Sequence, residues 1–385
     1  MAANHRVVFS GPEIGIDGHD LKKNVLTQGF SFIELTLYAR GVSAEAAYES
    51  YMQGLITRKP FKKFKKDVAP DLIVLDIHYS IFAIPLWTLG SPIVMISTEL
   101  QTSQQPNNVP LTSLTFPAHK TQAANKHEWD NYYGSHLATS NLIEVAAMLA
   151  VHHEFPIDKL LDRNRCLIPF SFHIPELILW PASFDHTHNP RSKAIYIGGL
   201  VDAKRREKGS RPRQITRYHK NIFVALGTRD ANSIAKLKFI ATLIDLFVTM
   251  PDVGVVIAGD WKLPVPDNVI LVPNAPQLSI LKNCDLMITH AGGNSIKECI
   301  RFGVPMLCIP SDNDQFGNAA RVRHFKLGLV CSLEKCSKKE IKSKIKKIWR
   351  TKSFKQNLAK QKELFFNSKD STQALRVIES FLTKR

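Results

Sequence analysis

No stretch of this chain approaches the ~20 consecutive apolar residues that cross a bilayer, and no basic-then-apolar leader opens it. A cytoplasmic protein is therefore expected, at most peripheral to the inner face of the membrane. Cysteine is scarce: Cys166, Cys284, Cys299, Cys308, Cys331 and Cys336 form no CxxC, and no histidine pair stands at ligand spacing. That argues against a zinc site and against a disulfide framework, and fits a reducing compartment. No repeat or low-complexity segment is visible, which leaves ordinary globular domains. Acidic residues are the minority, 34 against 51 Lys and Arg, for a net charge of +17. The excess gathers at the end, where Lys338 to Arg385 carry fifteen basic and four acidic residues. No groove-reading motif or RNA-binding signature accompanies it, so nucleic acid is not expected as a partner. Two readings of that tail stand. It is a solvated face on closing helices, or a helix such as KKEIKSKIKKIWR lays Ile341, Ile345, Ile348 and Trp349 on anionic lipid.

What is present is a regular alternation. Apolar runs of strand length, VVFS, DLIVLD, PIVMIS, IFVAL, VGVVIA, LMIT and MLCIP, alternate with helical stretches, the pattern of parallel α/β sheets. A length of 385 residues and 44% hydrophobic content suit two or three domains of ~150 residues each. The segment AKRREKGSRPRQ, residues 203–214, is charged, contains Gly and Pro, and has almost no apolar residue. It reads as a linker between an N-terminal domain over 1–202 and a C-terminal domain over 215–385. Residues 101–170 are rich in Pro, Asn, His and aromatic residues around a helix near 141–152. They read either as a pocket with lids or as surface loops.

The chemistry concentrates in residues 274–319. A short apolar strand ends at Thr289, His290 follows, and Gly292, Gly293, Asn294 and Ser295 lead into the helical SIKECIRFG. Backbone N–H groups at such a helix start, with the Ser295 hydroxyl and the Asn294 amide, suit a phosphate. Glu298, one turn in, is placed to accept hydrogen bonds from two neighbouring ribose hydroxyls. The strand VPMLCIP ends in Asp312, Asn313, Asp314 and Gln315, groups that match sugar hydroxyls at the carboxyl edge of a parallel sheet. A second phosphate-suited turn follows NIFVAL, at Gly227 and Thr228. Each piece alone is an ordinary turn or loop; the order and spacing together point to a nucleotide-sugar site.

The run APQLSILKNCDLMITHAGGNSIKECIRFGVPMLCIPSDNDQFGNAARV resembles the donor-binding signature of the UDP-glycosyltransferase family, and its wording is most like that of the bacterial zeaxanthin glucosyltransferase group. PELILWPASFD, YIGGLVD and VALGT upstream match the same group. The resemblance implies a GT-B fold, two Rossmann-like domains facing across a cleft, with the donor held by the C-terminal half and the acceptor by the N-terminal half. It implies that Ala275 and Gln277 meet the uracil ring, and that Thr228, His290, Gly292, Asn294 and Ser295 surround the diphosphate. By the same resemblance Glu298 holds the ribose, and Asp314 and Gln315 hold the transferred sugar. Many members carry a tryptophan just before the Ala-Pro-Gln run, to stack on the base; this chain has Asn274.

The implied reaction moves a hexose from a UDP-sugar to a hydroxyl of a small or lipophilic acceptor with inversion, without a cofactor. A base takes the hydroxyl proton and the site stabilises the departing diphosphate. No metal site is expected, since Asp312 and Asp314 read as hydroxyl partners. The family's base is the histidine of a Gly-His pair after the first strand, oriented by an aspartate that matches Asp76. Two placements of the N-terminus stand. In one, MAANHRVVFS is the end of the first helix and the second strand, so the first strand and its histidine are missing. In the other, Arg6 to Ser10 is the first strand, DLKKNVLTQ a short helix, and His19 the base. A chain lacking the base is expected to be an inactive nucleotide-sugar-binding remnant unless His78, near Asp76, replaces it. A sugar-nucleotide epimerase of the same fold is argued against by Asp314-Gln315 and the Ala-Pro-Gln run.

Overall fold

The strands after residue 215 are apolar on both faces, so they need cover on both sides, as parallel sheets do. The computed structural model has this arrangement. It describes residues 52–382 apart from 58, 106, 117–120, 136–139, 165–166, 168–170, 186–193, 208, 210–211, 213–216, 228–232 and 367, together with two earlier strands, Val8–Gly11 and Ser31–Glu34.

Six parallel strands form the main sheet in the order Val269–Val272, Val253–Ala258, Lys220–Ala225, Leu286–Thr289, Met306–Cys308, Gly328–Val330. Counted along the chain this is 3-2-1-4-5-6, the doubly wound Rossmann order. Strand order reverses between Lys220–Ala225 and Leu286–Thr289, which pair with Ala225 beside Thr289. Ligands bind outside the carboxyl ends of strands at such a reversal. The sequence places Gly227 just past one strand and His290 just past the other.

Helices cover both faces. Ser233 caps the helix Ile234–Val248 by accepting a hydrogen bond from the Lys236 N–H at 3.3 Å, and Phe239, Ile240, Leu243 and Phe247 pack into the core beneath. The helix Lys338–Arg350 starts at Ser337, whose hydroxyl accepts from the Glu340 N–H. Its Ile341, Ile345 and Ile348 recur at i, i+4 and i+7 and are buried in the same core, with Trp349 packed against it. This corrects the lipid-facing reading: the apolar stripe that a membrane surface would need is spent on the sheet, and the lysines are the solvated face. Among the described residues no helix is long and apolar enough to cross a membrane.

By packing, the chain divides into one unit of residues 1–97, 136–177 and 376–385 and another of 98–135 and 178–375. Composition places a boundary at 203–214, whereas the packing puts 98–135 and 178–202 with the six-stranded sheet. The reason lies in long-range contacts that composition does not register. Gly317 donates its N–H to the Leu111 carbonyl at 2.6 Å, Arg323 donates to Leu114 O at 2.8 Å, and Phe116 stacks on His324. In the first unit Val8–Gly11 pairs in parallel with Ser31–Glu34, and Ile73–Asp76 with Ile93–Ser97. Its core joins Leu55, Phe61, Ile84, Leu149, Phe155 and Phe172.

Candidate functional site

At the strand reversal the His290 Nδ1–H donates to the Ala225 carbonyl at 3.4 Å, bridging the two central strands. Burial pushes this imidazole below its ordinary range; the Ala225 bond opposes that shift and the charge of Lys236 adds to it. Two glycines make room for the ring. A Cβ on Gly292 would stand 2.4 Å from His290 Nε2, and one on Gly227, where φ is +77°, would stand 3.1 Å from it. Ala291 takes φ +67°, which turns the chain out of the strand, and Gly292 then caps the helix Gly293–Phe302. The exposed Asn294 and the buried Ser295 sit in its first turn, as a phosphate cradle needs.

The helix face that carries Ser295 also carries Glu298, whose carboxylate is 2% exposed. Gln277, the first residue of the helix Gln277–Leu281, donates to Glu298 Oε2 at 2.5 Å and to Ser295 Oγ at 3.4 Å. Arg205 donates to Glu298 Oε1 and, at 3.2 Å, to Glu207 Oε1. Glu207 in turn accepts the Leu278 and Ser279 N–H groups at 2.9 and 3.2 Å, filling the first turn of the Gln277 helix. The guanidinium pKa lies above the ordinary arginine value; burial opposes this, and the hydrogen bond and charge of Glu298, then those of Glu207, outweigh it. The charged stretch read as a linker is therefore fastened to the site through residues 205 and 207. Ala275 lies half-buried just ahead of this helix.

The third cluster is the 311–315 turn. Asp314 precedes the helix Gln315–His324, and its Oδ2 accepts from Asn318 Nδ2 at 2.7 Å. Asn318, almost fully buried, also donates to the Ala291 carbonyl at 3.1 Å, so it joins the 311–315 turn to the 290–293 turn. Gln315 Oε1 accepts from Ser311 N, Ser311 Oγ and Asp312 N at 3.0 to 3.2 Å. Its amide nitrogen has no protein partner among the described residues. Beneath, Arg321 forms a fully buried ion pair with Asp185 at 2.9 Å and also holds the Phe184 and Gly317 carbonyls. Trp180 closes the base of the site: a Cβ on Gly293 would meet its ring at 2.9 Å, and Lys297 lies 4.6 Å over it. Burial lowers the Lys297 pKa to about 8, against the charges of Asp314 and Glu298.

The structure thus gathers Gln277, His290, Gly292, Asn294, Ser295 and Glu298 at one strand reversal, with Ala275 on the approach and Asp314 and Gln315 on the next turn. Thr228 and His19 lie outside the described residues. Asp76 ends the strand Ile73–Asp76 in the other unit, and its Oδ1 accepts the His78 N–H at 2.9 Å, capping the turn that follows. Sequence reasoning missed Arg205, Glu207, Asn318 and Arg321. Only Asn318 and Arg321 carried a signal, as part of the NDQFGNAARV run. It also missed a disulfide: Cys331 and Cys336 are joined, while Cys284, Cys299 and Cys308 are free. The physical reason is local, since a separation of five residues brings the two sulfurs together in the turn before the Lys338 helix, where no spacing rule applies. Among the described residues Cys331, Cys336 and Glu340 are the sole clustered metal-type ligands, and the two sulfurs are bonded to each other.

The model of a known family, UDP-glucoronosyl and UDP-glucosyl transferase, matches residues 263–368, the segment that holds nearly all of these groups. Over that stretch the chain is similar to the UDP-glycosyltransferase family. An uncharacterized UDP-glucosyltransferase, YdhE of Bacillus subtilis, is 28% identical over 198 residues, covering 50% of this chain and 49% of that protein. The chain spans about half or less of the length of the first curated relatives it matches. Among solved structures, the spinosyn forosaminyltransferase SpnP matches with a TM-score of 0.70 at 15% identity, covering 100% of this chain and 93% of that one. The spinosyn rhamnosyltransferase SpnG complexed with thymidine diphosphate matches at 0.62 and 14% identity, covering 94% and 89%. The GT-B fold class expected of a UDP-glycosyltransferase is thereby shared.

Proposed function

We propose that this protein transfers a hexose from a UDP-sugar to a hydroxyl group of a small or lipophilic acceptor with inversion at the anomeric carbon. The observation that carries the reading is Glu298: a buried carboxylate beside Gln277 and Ser295, one turn inside a helix whose start lies at the strand reversal. A carboxylate there is acceptor-only and takes two vicinal ribose hydroxyls, while the helix N–H groups, Asn294 and Ser295 take the diphosphate. The curated relative YdhE is named for UDP-glucose chemistry, and a fold neighbour was solved with a nucleoside diphosphate. Both support the donor class.

In the reaction the acceptor oxygen forms a bond to the anomeric carbon as the bond to the UDP oxygen breaks. The acceptor proton passes to a base, and the negative charge leaves on UDP. The helix dipole and N–H donors stabilise that charge. In this reading the His290 ring packs beside the leaving diphosphate, its Nδ1–H held by the Ala225 carbonyl. His19 is the base in this reading, with Asp76 orienting it. Asp76 suits the task because only one of its oxygens is used by His78. Asp314 and the Gln315 amide read the hexose hydroxyls, and Ala275 and Gln277 meet the base. Incubation with UDP-hexoses and a panel of lipophilic alcohols tests the reading. It predicts UDP release matched by glycoside of inverted configuration, read by NMR; intact UDP-sugar with every acceptor would count against it.

A further inference from the structure

Glu298 is buried with both oxygens already in use, and the group on Oε1 comes from outside the donor signature. Arg205 belongs to the charged 203–214 stretch, yet it is held from two sides, by Glu298 and by Glu207, which is itself fixed to the Leu278 and Ser279 N–H groups. Gly209, with φ +88°, brings the same stretch so close to residue 274 that a Cβ there would lie 2.3 Å from the Asn274 carbonyl. Between them a polar cavity of about 180 Å³ opens, bordered by Arg205, Glu207, Gly209, Pro276, Ser279 and Lys282. It adjoins the Ala275–Gln277 run assigned to the base.

A carboxylate offers about four lone-pair positions. Arg205 uses one on Oε1 and Gln277 one on Oε2, so each oxygen can still accept one ribose hydroxyl with the arginine in place. Removing the arginine would leave a buried charge with a neutral amide as its main partner, which is costly. The guanidinium itself has N–H donors to spare beyond Glu298 and Glu207, and it is about one-third exposed. A planar guanidinium stacks on a flat ring, which a lysine ammonium does not. At this position the chain has Asn274 and so no aromatic side chain to cover the base.

We propose that Arg205 is a nucleotide-binding residue of the donor site: it orients Glu298 toward the ribose and covers the base edge in place of an aromatic ring at position 274. The proposal rests on the UDP-sugar reading above. Calorimetric titration of the full chain with UDP tests it, using Arg205→Ala, Arg205→Lys and the double change Arg205→Ala with Asn274→Trp. Arg205→Ala is expected to weaken UDP binding about tenfold, the size of one lost hydrogen bond to a charged group. Arg205→Lys should recover little of that loss, and the added tryptophan should recover the part that comes from covering the base. Arg205→Ala should also lower the melting temperature, because Glu298 stays buried without its cation; Arg205→Lys keeps the charge and should melt close to the unaltered chain, so its weakened UDP binding reads the guanidinium and not folding. Equal or tighter UDP binding by Arg205→Ala would overturn the proposal, since the guanidinium would then be competing with the ribose for Glu298. No UDP binding by the unaltered chain would overturn the UDP-sugar reading itself, and the proposal with it.

Discussion

His290 shows how a single residue couples the fold to the site. Its ring fills the space left by Gly227 and Gly292 and bridges two strands through Ala225, so the contacts that bury it also fix its place at the candidate site. Because burial lowers its pKa, the folded state releases a proton that the unfolded chain still binds near the ordinary value of 6.5. Stability from this residue is therefore full above that value and is lost as pH falls through it. The unaltered protein should lose melting temperature between pH 7.5 and 5.5 by more than His290→Asn does; parallel pH profiles would refute the assignment. Gly292→Ala places a methyl against the imidazole, and the expected outcome is a drop in melting temperature together with weakened UDP binding. Gln315 fastens Ser311 and Asp312 through its carbonyl oxygen, while its amide nitrogen has no protein partner among the described residues and, in the proposed function, meets the sugar. Gln315→Glu removes that donor while keeping the fastening oxygens, so sugar preference should shift with UDP affinity kept, as competition between UDP-hexoses would show.

Among elements, the helix Gln315–His324 depends on its buried end. Arg321 and Asp185 are paired out of water, and Asp185 Oδ2 also accepts the Gln101 N–H at 2.9 Å, so three separate segments meet at one ion pair. Breaking such a pair from one side leaves an uncompensated charge and costs about 3–5 kcal/mol. Arg321→Met should lower stability by about that amount in denaturant titrations and disturb Asp314 through the helix start. The double change with Asp185→Leu should recover much of the loss. The helix Lys338–Arg350 makes the complementary point. Its isoleucines were legible in the sequence as an amphipathic stripe, but periodicity states that a face is buried and not what buries it. The sheet, rather than lipid, is the answer. The strand Gly328–Val330 went unread because three residues are too few to show a pattern, whereas Val269–Val272, four apolar residues in a row, carried a strand signal that was passed over.

For the whole molecule, the α/β class and the cluster of the candidate site were legible because strand, glycine turn and helix follow one another within 274–319, so their chemistry is local. What was not legible is what arrives from a distance. Arg205 and Glu207 look like linker charges until the fold sets them on Glu298 and the Gln277 helix, and residues 98–135 look like loops until Leu111 meets Gly317. Sequence order carries no trace of those pairings, which exist only once the sheet has formed. The central claim is that Glu298 makes this strand reversal a nucleotide site. Calorimetric titration of the full chain with UDP, beside Glu298→Ala and Glu298→Gln, tests it most directly. The account predicts measurable binding by the unaltered chain, loss of about tenfold or more in Glu298→Ala, and partial retention in Glu298→Gln; equal affinity in all three would contradict it.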